Sequence, residues 1–254
     1  MADRVSYPTE TYASDTQLNF RKLLNQKFKE TPLPLEHLVC NFGLYTRGSV
    51  MMKLLVLNEL YELIVNVPGV IMEFGTWWGQ NLVFFENLRA IYEPFNKTRR
   101  IIGFDSFGGY TGFSESDRRT AVMDEGGYAV SPGYKEYLKE LLEIHEGNNA
   151  IGHLRGRHEL VQGNVIETVP KYFSARPETI VSLAYLDVGL YEPTKAILEG
   201  IKPHLVPGSV ILMDELTWDE APGEAIAFKE VFRDIRYRIR KSRYTAERAI
   251  VTIE

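Results

Sequence analysis

The sequence predicts an α/β protein: a mostly parallel sheet with helices on both faces, closed by a C-terminal antiparallel hairpin. Three observations lead there. Short, mainly apolar runs recur at 69–74, 100–105, 159–162, 180–186 and 209–213, each ending at a glycine or an acid. Segments with helical spacing separate them, the arrangement of a parallel sheet buried on both sides. Near the C-terminus, Tyr237-Arg238-Ile239-Arg240 alternates at period two, and a run at 248–253 follows so soon that the two can only pair antiparallel.

The elements follow in order. Residues 1–31 are polar, with Pro8 and scattered Ser and Thr, and read as an arm or loose helical cap before Pro32 and Pro34. Met52, Leu55, Val56, Leu60 and Ile64 give a buried helix face over 49–65, ended by Asn66-Val67-Pro68-Gly69. The first strand runs into the turn Gly75-Thr76-Trp77-Trp78-Gly79 and a helix over 81–92; the second ends at Asp105. A long insertion, 107–146, then intersperses Phe107, Tyr110, Phe113, Tyr128, Tyr134 and Tyr137 with glycines, a composition suited to a mobile cover over a ligand site or to a plain surface helix and loop. The third strand ends in Gly163-Asn164 and the fourth in Asp187. A helix opened by Glu192-Pro193 buries Ala196, Ile197 and Ile201, the fifth strand ends in Asp214-Glu215, and a last helix covers 225–232. This order is that of the class I methyltransferases, with a Rossmann-like sheet. It implies one domain over 1–254, with an N-terminal arm or cap at 1–48 and a lid-like insertion at 107–146.

Composition excludes several classes. With 44% hydrophobic and 12% aromatic residues in a chain of 254, a large core is expected rather than disorder. Lys and Arg number 29 against 34 Asp and Glu, a net charge of −5, so the basic footprint of a nucleic-acid binder is missing. The lone Cys40 allows no internal disulfide and reads as a small apolar residue in a reducing, cytoplasmic setting. No apolar run reaches the roughly 20 residues of a membrane span. The best stretch, 51–72, is broken by Lys53, Asn58, Glu59, Glu62, Asn66 and Pro68, and the N-terminus has no apolar signal segment.

In open α/β sheets ligands sit beyond the carboxyl ends of the strands, so those ends carry the candidate site. In Glu73-Phe74-Gly75-Thr76-Trp77-Trp78-Gly79-Gln80, two glycines permit close backbone approach and the following helix offers free N–H groups. The spacing is not that of a dinucleotide site. Asp105 can take the two hydroxyls of a ribose or simply cap its own turn, and Gly163-Asn164 would lie near an adenine. Asp187, Asp214 and Glu215 end neighbouring strands; converging, they would repel unless a cation held them, and oxygen ligands without histidine favour Mg²⁺, Ca²⁺ or Mn²⁺. Separate solvated acids are the alternative. His37, His145, His153, His158 and His204 read as surface or packing residues, and the basic stretch 233–248 as a solvated face or a contact for phosphate or a second subunit.

Four motifs, in this order, resemble the macrocin O-methyltransferase family: 73–80; Gly103-Phe104-Asp105-Ser106-Phe107-Gly108-Gly109; Tyr185-Leu186-Asp187-Val188-Gly189-Leu190-Tyr191-Glu192-Pro193-Thr194; and Met213-Asp214-Glu215-Leu216. The resemblance spans about 44–232. It implies S-adenosylmethionine and a divalent metal such as Mg²⁺ as cofactors. The reaction it implies is in-line transfer of a methyl group to a sugar hydroxyl, in antibiotic or glycan biosynthesis. The nearest branch acts on dTDP-linked 6-deoxyhexoses at the 3-hydroxyl. The resemblance places Glu73, Gly75, Thr76, Gly79 and Gln80 at the methionine end of the cofactor, Asp105 and Ser106 at its ribose, and Asp187, Asp214 and Glu215 at the metal, with Asp187 also the base. One position departs: where the family commonly has a second acid two residues after Asp187, this chain has Gly189. Two rivals follow, a methyltransferase-like binding protein of reduced activity and a nucleotide-dependent oxidoreductase, against which the glycine spacing and antiparallel finish speak. The polar arm and the aromatic insertion are the candidate contacts of a homo-oligomer.

Overall fold

The computed structural model describes residues 11–149 and 157–254, so the first ten residues of the arm and His153 lie outside it. Five parallel strands, β1 (Val70–Phe74), β2 (Ile101–Asp105), β3 (Glu159–Gln162), β4 (Val181–Leu186) and β5 (Leu205–Met213), are completed by β6 (Tyr237–Lys241) and β7 (Ala249–Ile253). The order is β3-β2-β1-β4-β5-β7-β6, with β7 antiparallel to both its neighbours. β1 lies between β2 and β4, pairing Phe74 with Phe104 and with Leu186. The carboxyl ends of these strands therefore fall side by side.

Alternation within each strand divides the core in two. Val70, Met72 and Phe74 pack with Val169, Phe173, Ile197, Leu198 and Phe228 of α6 (Val165–Ala175), α7 (Tyr191–Ile201) and α8 (Pro222–Val231). Ile71, Leu183, Tyr185 and Leu212 point the other way, against α3 (Gly48–Ile64), α4 (Gln80–Tyr92) and α5 (Tyr134–Asn149). Two expected faces need correcting. On α3, Leu55 is 41% exposed, and Leu57 and Tyr61 turn inward instead, because the stripe follows 56, 57, 60, 61 and 64. On α7, Leu198 rather than Ala196 is buried beside Ile197 and Ile201. Cys40 is exposed, not a core filler.

β5 begins four residues before the expected 209. Pro207-Gly208 looks like a turn, but Gly208 takes a φ of +92° inside a bulge, where pairing jumps from Val181–Leu205 to Leu183–Val210. The described part of the arm is helical: α1 (Asp15–Lys29) starts in a capping box, Ser14 Oγ accepting from the Gln17 N–H and Gln17 Oε1 from the Ser14 N–H. α2 (Leu35–Cys40) follows, and neither helix buries a residue. The insertion divides: 107–133 is irregular chain, whereas α5 packs Leu138 and Leu142 against the α4 side.

A buried clamp ties α3 to the terminal hairpin. The Glu59 carboxylate, 2% exposed, accepts from Arg240 (2.6 Å), the Ser242 hydroxyl (2.7 Å) and the Arg243 N–H (3.2 Å). No helix among the described residues is long and apolar enough to cross a membrane.

Candidate active site

A cavity of about 480 Å³ opens beyond the carboxyl ends of β1, β2, β4 and β5, large enough for a cofactor-sized ligand. Of the sequence candidates, Gly75, Asp105, Ser106, Gly163, Asn164, Asp187, Asp214 and Glu215 line it. Glu73, Thr76, Gly79 and Gln80 do not. Glu73 and Thr76 are buried behind the wall, Gly79 begins α4 under Leu138, and Gln80 is exposed.

Gly75 shows why a glycine stands at the first turn. Its φ is +88°, and a Cβ there would lie 2.0 Å from the Asp187 carbonyl oxygen. The Gly75 N–H donates to Phe104 and the Asp187 N–H to Phe74 (3.0 and 2.9 Å), so three strand ends are locked together.

Asp105 holds two strained turns. Trp77 and Phe107, with φ of +49° and +57°, each donate a backbone N–H to its carboxylate, at 2.7 and 2.6 Å. Left-handed backbone in a bulky residue costs on the order of 1–3 kcal/mol, offset here by charge-assisted hydrogen bonds. The turn-capping role read from sequence is thus present, and Asp105 also lines the cavity. Burial raises the Asp105 pKa, the backbone donors opposing it. Ser106 donates to the Gly109 carbonyl (2.8 Å) and accepts from the Gly108 N–H (3.0 Å). Asn164 caps α6 through the Ile166 N–H (3.0 Å).

Glu73 sits beneath the Gly75 turn, 1% exposed, with Oε1 accepting from Asn81 (2.6 Å) and Oε2 without a partner. Burial pushes its pKa up to about 8, against the opposing charge of Lys53. Between about pH 4.5 and 8 the folded protein therefore binds a proton that the unfolded chain has lost, and stability falls as pH rises through this window, by up to about 1.4 kcal/mol per pH unit. Glu73→Gln keeps the acceptor and removes the titration. Urea unfolding at pH 5 and pH 8.5 should show a shallower decline in this variant than in the parent protein.

Asp187, Asp214 and Glu215 do converge: one oxygen from each lies within 4.8 Å of the others. Oε2 of Glu215 is buried without a partner. Burial, then Asp214, pushes the Asp187 pKa up to about 6. A fourth acid, Glu224 of α8, stands behind them, fully buried, accepting from the Glu215 N–H (3.2 Å) and sharing a hydrogen bond with its carboxyl. Burial drives Glu215 upward, and Glu224 adds to it. An all-oxygen set with a buried, unpaired lone pair fits a hard divalent cation. Asp214 is already engaged, by the Tyr185 hydroxyl (3.0 Å) and by Arg248, so a cation would share it.

Arg248 corrects the reading of 233–248 as one solvated face: 15% of its side chain is exposed, and it lines the cavity as the counter-charge of Asp214. Lys53 and Glu224 were also missed, whereas Tyr110 was among the aromatics of the expected cover. Lys53 had a sequence signal, a charge on the buried stripe of a helix; Glu224 gave none, because an acid in the first turn of a helix is ordinary. No described histidine lines the cavity. His158 accepts the Ile101 N–H at Nδ1 (3.1 Å), which leaves Nε2 to donate to Glu86 (2.8 Å), and His204 stacks on Phe173. Gly189 has a φ of +61°, and a Cβ there would meet Met123 at 3.3 Å and the Glu215 carboxyl carbon at 3.8 Å.

The chain matches the model of the macrocin-O-methyltransferase family over residues 49–241. It is 39% identical to the calicheamicin methyltransferase CalS11, covering 99% of this chain and 98% of that one with a TM-score of 0.90. An apo structure of CalS11, described as a TDP-rhamnose 3'-O-methyltransferase, matches with 38% identity over 95% and 96% of the chains and a TM-score of 0.83. A curated relative from Streptomyces olivaceus is the 8-demethyl-8-(2,3-dimethoxy-alpha-L-rhamnosyl)-tetracenomycin-C 4'-O-methyltransferase. It is 27% identical over 158 residues, 60% of this chain and 55% of that protein. The chain thus spans about half the length of that relative. With a class I methyltransferase sheet and a family match over most of its length, the chain belongs to the macrocin O-methyltransferase family.

Proposed function

We propose that this protein transfers a methyl group from S-adenosylmethionine to a sugar hydroxyl, with divalent-metal assistance, on a nucleotide-linked 6-deoxyhexose. The carrying observation is the single cavity that joins Asp105, the Gly75 turn and the Asp187–Asp214–Glu215 cluster. The 39% identity to CalS11 over nearly the whole chain supports the substrate class.

When bound, S-adenosylmethionine supplies a methyl group activated on a sulfonium sulfur. Asp187, Asp214 and Glu215 would hold a divalent cation, which would supply Lewis acidity toward a nearby hydroxyl. The chain's own residues do the rest. Asp105 and Ser106 hold the ribose, with Gly163-Asn164 beside the base. Gly75 shapes the methionine end by close backbone approach, and the buried Glu73, Thr76 and Gly79 support its turn from behind the wall, while the exposed Gln80 stands off the cavity. Asp187 accepts the proton of the substrate hydroxyl: burial and Asp214 raise its pKa in the metal-free protein, which favours proton uptake, and a cation on the same carboxylate would keep it ionised at neutral pH. Tyr110 stays a donor, because burial and then Glu215 hold its phenol above the ordinary range. Gly109, Tyr110, Thr111, Met123 and Tyr128 of 107–133 cover the cavity and exclude water, the lid role expected of this segment. Alignment of acceptor oxygen and methyl group is worth roughly 7–11 kcal/mol in well-organised cases.

The test is incubation with S-adenosylmethionine and a panel of dTDP-linked deoxysugars, with Mg²⁺ or EDTA. Mass spectrometry should show one added methyl group on a sugar nucleotide, and only where metal is present. Cofactor binding with no product on any sugar would favour the inactive binding protein, and tight NAD binding with no response to S-adenosylmethionine the oxidoreductase.

A further inference from the structure

α3 carries its buried residues at 56, 57, 60, 61 and 64. Lys53 precedes Val56 by three positions and Leu57 by four, so it lies on the same stripe, where the pattern calls for another apolar side chain. A lysine there is tolerated because at this level the stripe has run past the core and reached the cavity, which Lys53 lines with Gly75, Trp77 and Asp187. Its stem can pack along α3 while the ammonium reaches the opening.

The side of the cavity is fixed by the sheet. Ile71, Leu183 and Tyr185 point toward α3, and by alternation Glu73 and Asp187 do too. The Lys53 charge acts on both of these acids. No hydrogen bond or ion pair to a described residue occupies its ammonium. A cation on a core stripe, half-buried and facing a cavity without a hydrogen-bonded partner among the described residues, is placed to meet an anionic ligand group.

The order β2-β1-β4 indicates which group. Resting on the cofactor reading above, the ribose is at Asp105 beyond β2, so the rest of the cofactor runs toward β1 and β4, beneath Lys53. We propose that Lys53 binds the α-carboxylate of the methionine moiety of the cofactor and thereby sets its tail in place. A phosphate of a nucleotide-linked substrate offers the same anionic oxygens, and the experiment separates the two.

Calorimetric titration compares the parent protein with Lys53→Met and Lys53→Arg. The probes are S-adenosylhomocysteine, its decarboxylated analogue that keeps the amine, and dTDP. Lys53→Met is expected to weaken S-adenosylhomocysteine about 10- to 100-fold, the worth of one charged hydrogen bond. Binding of the decarboxylated analogue should not change, and Lys53→Arg should keep most of the affinity for S-adenosylhomocysteine. Equal losses for both nucleosides, or no loss for either, would overturn the assignment. So would a loss confined to dTDP, which would make phosphate the ligand of Lys53. Should the parent protein bind no S-adenosylhomocysteine, the cofactor reading itself fails and this inference with it. Should Lys53→Met not fold, Lys53→Gln and the analogue pair give the same comparison.

Discussion

Alanine at Asp187 is expected to lower kcat by about 10²–10⁴-fold, the usual worth of a positioned base, while affinity for S-adenosylhomocysteine stays within a few-fold. The split follows from the way the residue is held. Its backbone is fixed by the N–H donated to Phe74 and by the close passage of Gly75, neither of which uses the carboxylate. The fold should not suffer either. Burial and Asp214 raise the Asp187 pKa to about 6, so the ionised carboxylate is a burden on the native state at neutral pH, and its removal relieves it. In the parent enzyme, activity should fall toward acid pH as the carboxylate takes up a proton, with a midpoint below about 6 when Mg²⁺ is present, because a cation on the same carboxylate favours its ionised form. Unchanged turnover in Asp187→Ala would remove this residue from the chemistry; lost turnover together with lost melting temperature would point to structure instead.

The second large effect concerns the charge balance of the cluster. Arg248→Met leaves the half-buried Asp214 without its cation, beside Asp187, Glu215 and Glu224. Breaking a buried pair from one side typically costs about 3–5 kcal/mol; this pair faces the cavity and Tyr185 stays on Asp214, so the metal-free protein should lose stability by less than that. Magnesium should restore much of it, because a bound cation stabilises the folded state by mass action and replaces the missing charge. Urea unfolding in EDTA and in millimolar Mg²⁺ reads both parts. A variant as stable in EDTA as the parent would show that Arg248 contributes nothing to the cluster, and a variant that gains no more than the parent from Mg²⁺ would dissociate the acids from cation binding.

The difference between these two residues also shows what the sequence discloses. Strands buried on both faces write themselves as continuous apolar runs, so β1 to β4 were legible almost to the residue, and the acids closing those runs marked the cavity in advance. The start of β5 was not, because a bulge puts Pro207-Gly208 inside a strand, where local chemistry spells a turn. Arg248 and Lys53 reach the cavity from a hairpin and from a helix far from the four motifs, and only the folded sheet brings them together. The Gly189 departure likewise changes meaning in three dimensions. Its left-handed φ strains any side chain placed there, and an acid would add a like charge beside the Glu215 carboxyl, whose carbon lies 3.8 Å from where a Cβ would stand, so the glycine and its backbone belong together. Reading it as a simple loss treats one position apart from its neighbours.

The clamp at Glu59 bears on all of this from outside the cavity. α3, which it grips, carries Lys53, and the hairpin segment, which it also grips, leads within a few residues to Arg248. The positive charges that face the cavity thus ride on two elements bolted to each other nearly two helical turns from the opening. Their spacing is a property of the bolt and not of the ligands. A lineage could retune the cavity for an anion of different length by altering Glu59, Arg240 or Ser242, with every cavity-lining residue left as it is.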